Sequence, residues 1–214
     1  MSDPQELYDA ILTGDAKKAE EVTQAALEAN VNPSDLLTKY MIPAMDEVGS
    51  RFECNEYFVP ELLIAARAMK TALALLTPKL AAAGAQAVGR VVIGTVQGDL
   101  HDIGKNLVAS MLEGGGFEVV DLGVDVPPDQ FVQAAKEKAG SIVALSALLT
   151  TTMTMMKAVI EALEAAGLRD STKVIIGGAP ITQQYADEIG ADGYSDNASA
   201  AVGLARKLAG AAAS

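Results

Sequence analysis

The residues of this chain best suited to chemistry lie in one short stretch, Gly98-Asp99-Leu100-His101-Asp102-Ile103-Gly104. His101 is the only histidine among 214 residues. A lone histidine is more often structural than functional, but this one is flanked by Asp99 and Asp102, and two glycines let the backbone come close to something large. An imidazole that binds a metal through one nitrogen usually passes its other ring proton to a carboxylate, and Asp99 is two residues away. Two nucleotide-binding loops fit poorly. A Walker loop needs four residues between its glycines and then Gly-Lys-Ser/Thr, whereas five residues separate Gly98 from Gly104 and Asn106 stands where the hydroxyl belongs. A dinucleotide fingerprint needs a glycine where Leu100 stands.

The elements around the stretch decide where it sits. Residues 90–95 read as a buried strand and residues 105–112 as a helix, so His101 occupies the loop at the carboxyl end of a first strand, where open α/β sheets hold their ligands. Strand-like runs recur at 117–122, 142–146, 174–177 and, weakly, 193–194. Helical runs near 103–113, 128–138, 152–166, 182–189 and 198–212 alternate with them. This predicts an α/β domain with a five-stranded parallel sheet of flavodoxin-like, Rossmann-type order 2-1-3-4-5. That order sets the ends of strands 1 and 3 side by side, so the His101 loop and the loop after Ser146 share one site.

Residues from about 4 to 84 read as helices only. A short helix ends at Gly14, Asp15 caps a second carrying an apolar stripe of Ala19, Val22, Ala26 and Leu27, and Pro33 opens a third in which Pro43 predicts a kink or break. Residues 49–60 read as a loop rich in aromatics, and Pro60 opens a long fourth helix from 61 to about 76 or 82. Four helices with short connections predict an N-terminal four-helix bundle. Residues 81–89 are small and featureless and read as an interdomain linker, their first half equally as an extension of the helix. The expected domains are residues 1–84 and 85–214.

Asp99-x-His101-x-x-Gly104, then 41 residues (105–145), Ser146-x-Leu148, then 28 residues (149–176), and Gly177-Gly178 together resemble the cobalamin-binding signature of methionine synthase and related corrinoid proteins. With the helical segment included, the resemblance spans most of the chain. It implies a bound cobalamin or related corrinoid (methylcobalamin when loaded), with His101 replacing the tail's own base as the lower ligand of cobalt and Asp99 orienting the ring. Thr152 stands where methionine synthase extends this chain with a serine; it reads as a helix cap too. The resemblance puts Ser146 on the tail base, Thr150 close to the corrinoid, and Gly98, Asp102, Gly104 and Leu148 around it. Gly177 and Gly178 would clear room for the tail, and Ala198 in Asp196-Asn197-Ala198 would touch the cofactor. Phe52 and Val59 match two apolar residues that shield the upper face, Val59 in place of a leucine, although either also reads as bundle core. Ser146 stands where a receiver domain needs its aspartate. Met153, Met155 and Met156 read as adaptable packing.

Composition narrows the classes. Half the residues are hydrophobic, which excludes a disordered chain, and the net charge of -12 argues against nucleic acid. No apolar run reaches the roughly 18 residues of a membrane span. The N-terminus has no signal peptide, and the single Cys54, read as a small part-buried residue rather than a catalytic thiol, fits a reducing, cytoplasmic setting. The resemblance implies a methyl carrier between a substrate:corrinoid methyltransferase (a methanol, methylamine, betaine or aryl methyl ether O-demethylase system) and a methyltransferase to tetrahydrofolate or coenzyme M. A separate reductive activator would rescue Co(II). Such a chain is a cofactor-carrying subunit and not a complete enzyme alone. Three rivals remain: a cobalamin-dependent regulator or light sensor, which usually adds a DNA-binding segment; a mutase small subunit, which usually lacks the helical cover; and a generic flavodoxin-like binding module.

Overall fold

In a computed structural model of the chain, residues 4–83 and 87–210 are described. The chain divides into two compact units, Met1–Ala87 with Glu113–Gly116, and Val88–Leu112 with Phe117–Ser214.

The first unit is helical. Helix α1 (Gln5–Thr13) ends at Gly14, whose φ of 76° is left-handed, and α2 (Ala16–Glu28) begins where the Asp15 carboxylate accepts the Lys18 N–H at 2.9 Å. Helix α3 (Pro33–Leu36) runs through a π turn (Leu37–Met41) into α4 (Ile42–Glu53), and α5 (Val59–Ala82) follows. The third rod therefore does not break at Pro43. Proline removes one N–H and crowds the carbonyl four residues back, Lys39, and the wider turn just before it relieves that crowding. Leu27 lies at the edge of the predicted stripe, while Thr23 is fully buried because its hydroxyl donates to the Ala19 carbonyl at 2.7 Å.

Three expectations change. Residues 49–53 are helical, because Val48 and Gly49 are buried and carry α4 on for another turn. Phe52 thus lies in the last turn of α4, and Val59 rather than Pro60 begins α5. Cys54 is exposed rather than part-buried. Of the expected linker, residues 81–82 belong to α5 and 84–86 lie outside the described residues.

The second unit alternates β1 (Arg90–Thr95), α6 (Ile103–Gly114), β2 (Glu118–Asp121), α7 (Pro128–Lys136), β3 (Ile142–Ser146), α8 (Thr154–Ala165), β4 (Lys173–Gly177), α9 (Gln183–Ile189), β5 (Gly193–Tyr194) and α10 (Ala198–Leu208). All strand pairs are parallel and the order is β2-β1-β3-β4-β5, as the alternation predicts. Val92, Val143, Leu145 and Ile176 pack on one face with Phe131 of α7 and Leu163 of α8. Val91, Ile93, Ala144 and Ile175 alternate onto the other face and are buried there too. Helix α8 starts two residues later than its pattern suggests, because residues 149–153 form a turn that Asp99 organises.

Candidate functional site

The three central strands end in register. Thr95 of β1 pairs with Ser146 of β3, which pairs with Gly177 of β4, so one edge of the sheet carries three of the predicted segments. Beyond that edge, the Thr95 hydroxyl donates to the His101 carbonyl at 2.8 Å and pins the histidine loop to its strand.

Asp99 joins the loops. It is fully buried, and both carboxylate oxygens are occupied. Oδ1 accepts the His101 ring Nδ1–H at 2.7 Å and the His101 backbone N–H at 3.1 Å. Oδ2 accepts the backbone N–H groups of Leu148 at 2.8 Å and Leu149 at 3.2 Å, and lies 2.8 Å from the Thr152 hydroxyl. That hydroxyl is also 2.9 Å from the Leu149 carbonyl, so its one proton serves one acceptor at a time. Burial alone would raise the Asp99 pKa. The Leu148 N–H, the His101 ring, the His101 N–H and the Thr152 hydroxyl outweigh it and hold the carboxyl well below the usual carboxylate range.

An ionised carboxylate only accepts, so Nδ1 carries a proton, and in the neutral ring Nε2 is then the nitrogen with the lone pair. The His101 side chain is 51% exposed, and Nε2 has no partner among the described residues. The result is an outward-facing imidazole nitrogen backed by a buried anion, which is the donor a transition metal takes from histidine. Among the described residues no three His, Cys, Asp or Glu side chains gather to hold an ion. A metal at Nε2 must therefore bring most of its own ligands, as the cobalt of a macrocycle does. The surface beside the ring suits a large, partly apolar group: Leu100, Ile103, Leu148 and Leu149 are all exposed, Ile103 to 82%.

The other predicted residues divide into four groups. Ser146 is half-buried at the end of β3 with a hydroxyl that makes no hydrogen bond among the described residues, and Thr150 is exposed on the following turn. The Asp102 carboxylate accepts Asn106 Nδ2 at 3.1 Å, a bond at the start of α6, and the Gly98 N–H is held by Asp125 at 2.7 Å. Ala198 is buried at the first position of α10, where Asn197 caps the helix through the Ala200 N–H. Phe52 and Val59 belong to the first unit, partly and largely exposed respectively, beside the exposed Phe58, Leu63 and Ile64. Sequence reading misses Thr95, Leu149 and Asp125. Thr95 alone carries a signal, as a hydroxyl closing a strand just before the loop.

Two glycines separate folding from ligand space. A Cβ on Gly178, whose φ is 135°, would lie 1.9 Å from the Ala147 carbonyl oxygen. A Cβ on Gly104 would meet nothing within 4 Å. Gly178→Ala is therefore expected to destabilise the second unit by about 2–4 kcal/mol. Gly104→Ala should leave the urea midpoint unchanged or slightly raised, yet weaken corrinoid binding if the cofactor lies over the start of α6. Urea melts and absorbance titrations of both variants check the contrast.

The B12 binding domain family matches residues 89–203, and a second B12 binding domain family matches residues 5–77. Trimethylamine corrinoid protein 1 of Methanosarcina acetivorans is 46% identical over 202 residues, 94% of each chain. The crystal structure of a cobalamin-binding protein from Desulfitobacterium hafniense DCB-2 superposes with a TM-score of 0.78 at 36% identity, covering 96% of this chain and 98% of that one. A chain of the methanol:cobalamin methyltransferase complex from Methanosarcina barkeri superposes with a TM-score of 0.85 at 30% identity, covering 97% of this chain and 79% of that one. With the helical and α/β units each matched, and with relatives of this likeness along nearly its whole length, the chain belongs to the B12-binding family of corrinoid proteins.

Proposed function

We propose that this chain carries a methyl group on a corrinoid bound through His101, between a substrate:corrinoid methyltransferase and a methyltransferase to tetrahydrofolate or coenzyme M. The observation that carries the reading is the His101 Nε2 lone pair, aimed outward and fixed by Asp99. When bound, the corrinoid supplies a cobalt that accepts and donates a methyl group. The chain's own residues do the rest. His101 Nε2 would be the protein's donor to the metal. Asp99 holds the Nδ1 proton and the ring's orientation, and Thr152 steadies Asp99 from the far side.

Ser146, Gly177 and Gly178 open the sheet edge to the nucleotide tail, and Leu148, Thr150 and Ala198 line the approach. Phe52 and Val59, exposed to different degrees on the helical unit, would be the apolar residues that shield a bound corrinoid from water. The trimethylamine and methanol systems named among the similar proteins support a small methylated amine or alcohol as donor. A separate reductive activator, bringing its own electrons, would be the partner that restores a carrier lost to oxidation. No helix of the described residues is long and apolar enough to cross a membrane. The carrier works in the cytoplasm, where its single exposed thiol stays reduced.

The test is methyl exchange. Protein reconstituted with methylcobalamin should lose its methyl group to a thiol or folate acceptor only when an acceptor methyltransferase is added. The demethylated, reduced form should regain it only with a donor methyltransferase and its substrate. Stable cobalamin binding without exchange in either direction, against methylamine and methanol systems alike, would overturn the proposal.

A further inference from the structure

Resting on the reading that His101 ligates cobalt, we infer that Asp125, in the turn after β2, is a positioning residue that sets the height of the His101 loop. Asp125 has a φ of 53°, in the left-handed region that few residues other than glycine, asparagine and aspartate adopt. That conformation aims two of its groups at the same loop. Its backbone N–H donates to the Asp99 carbonyl at 3.0 Å, and its Oδ1 accepts the Gly98 N–H at 2.7 Å. Two consecutive residues, Gly98 and Asp99, are thus clasped by one residue of another loop, with only Leu100 between them and His101.

The turn that carries Asp125 is tied to the strand in its turn. The Thr95 N–H donates to the Gly123 carbonyl and the Val126 N–H donates to the Thr95 carbonyl, both at 3.0 Å. Asp125 therefore relays the position of β1 to the peptide that carries the ligand. The last residue of β2, just before that turn, grips the start of α6 beyond the loop. Asp121 Oδ2 pairs with Lys105 Nζ at 2.5 Å, in a site where the lysine side chain is 2% exposed. Lys105 also donates to Asn106 Oδ1 at 2.6 Å, and Asn106 Nδ2 reaches Asp102. Asp121 Oδ1 in turn accepts the Gly123 N–H at 2.8 Å.

Asp125 itself is exposed, and its side chain fills no part of the core. Its clasp is spent on holding the loop. A loop held in advance loses less freedom when Nε2 meets a metal, so ligation is favoured.

The probe is aquocobinamide, a corrinoid without a nucleotide tail, whose binding depends on the axial ligand. Absorbance titration gives its Kd for wild type, Asp125→Ala, Asp125→Asn, His101→Ala and the double variant His101→Ala/Asp125→Ala. Loss of the clasp should raise Kd about fivefold, the worth of a typical single hydrogen bond. Asp125→Asn keeps an acceptor and tolerates the left-handed backbone, so it should restore wild-type affinity. In the His101→Ala background Asp125→Ala should have no further effect, because a positioning residue acts only through the residue it positions. An equal loss in both backgrounds, or no loss in Asp125→Ala, overturns the inference. If wild type binds the probe no better than His101→Ala, it is the ligation reading itself that fails.

Discussion

Asp99→Ala is expected to lower the stability of the cofactor-free second unit by roughly 3–5 kcal/mol, more than any other single change at the site. The carboxylate is fully buried and accepts from two backbone N–H groups of the 148–149 turn, the His101 N–H and ring, and the Thr152 hydroxyl. Alanine leaves the 148–149 donors facing a void that water reaches poorly. The pH dependence has a definite sign. A carboxyl with a depressed native pKa contributes stability that is present above its unfolded value, about 3.9, and is lost as pH falls toward the native value. Asp99→Ala should therefore differ from wild type most at neutral pH and least in strong acid. Urea melts between pH 7 and pH 2.5 check both points, and a constant difference across that range would count against Asp99 as the source.

Asp99→Asn dissects the same residue. Its amide oxygen can replace the acceptor for Leu148 and Leu149, which leaves the amide N–H₂ facing His101 Nδ1. The ring must then accept at Nδ1 and carry its proton on Nε2, the nitrogen meant for the metal. A smaller stability loss with a large loss of ligation is the expected pattern. Because the chain has one histidine, nitrogen NMR of the cofactor-free variant reads the tautomer without ambiguity.

His101→Ala is expected to fold normally, since the side chain is half exposed and Asp99 Oδ1 keeps the backbone N–H of residue 101 as its partner. It should still bind cobalamin, with affinity reduced about 10–100-fold. Under the proposed reading Ser146, Gly177 and Gly178 would contact the nucleotide tail, a different part of the cofactor, so binding and ligation should separate. Cobalt in the variant should be water-ligated or five-coordinate, with the histidine-bound absorption lost. A variant that bound no corrinoid at all would show that the tail slot contributes nothing by itself.

Much of the fold and the site is legible in the chain because it is encoded locally. Period-two apolar runs, helix caps and the Gly-Asp-Leu-His-Asp-Ile-Gly loop lie in contiguous residues, and alternation of strands and helices leaves few sheet orders. What stays hidden depends on contacts between distant residues. Asp125 sits in Gly-Val-Asp-Val, a run whose residue types name no partner, and gains its role only when β2 pairs beside β1 and brings it to Gly98, 27 positions away. Residues 49–53 resemble a loop by glycine, serine and aromatic content, yet tertiary burial of Val48 and Gly49 keeps them helical. Thr23 is polar in a stripe meant for Leu27, and only its bond to Ala19 makes its burial cheap. Spacing pairs Asp99 with His101, but its grip on the 148–149 turn, which builds the site from two strand ends, has no sequence trace.

The central claim is that the chain's one histidine is the metal's nitrogen ligand, and the most direct measurement uses that singularity. Protein grown with ¹⁵N-histidine and loaded with cob(II)alamin is studied by electron paramagnetic resonance. Each cobalt line of an unlabelled nitrogen-ligated sample splits into three, because ¹⁴N has unit nuclear spin. If His101 is the ligand, the label turns every triplet into a doublet, since ¹⁵N has spin one half. If the triplets persist in the labelled protein, the nitrogen belongs to the cofactor's own tail, and ligation of cobalt by His101, with Asp99 behind it, is contradicted.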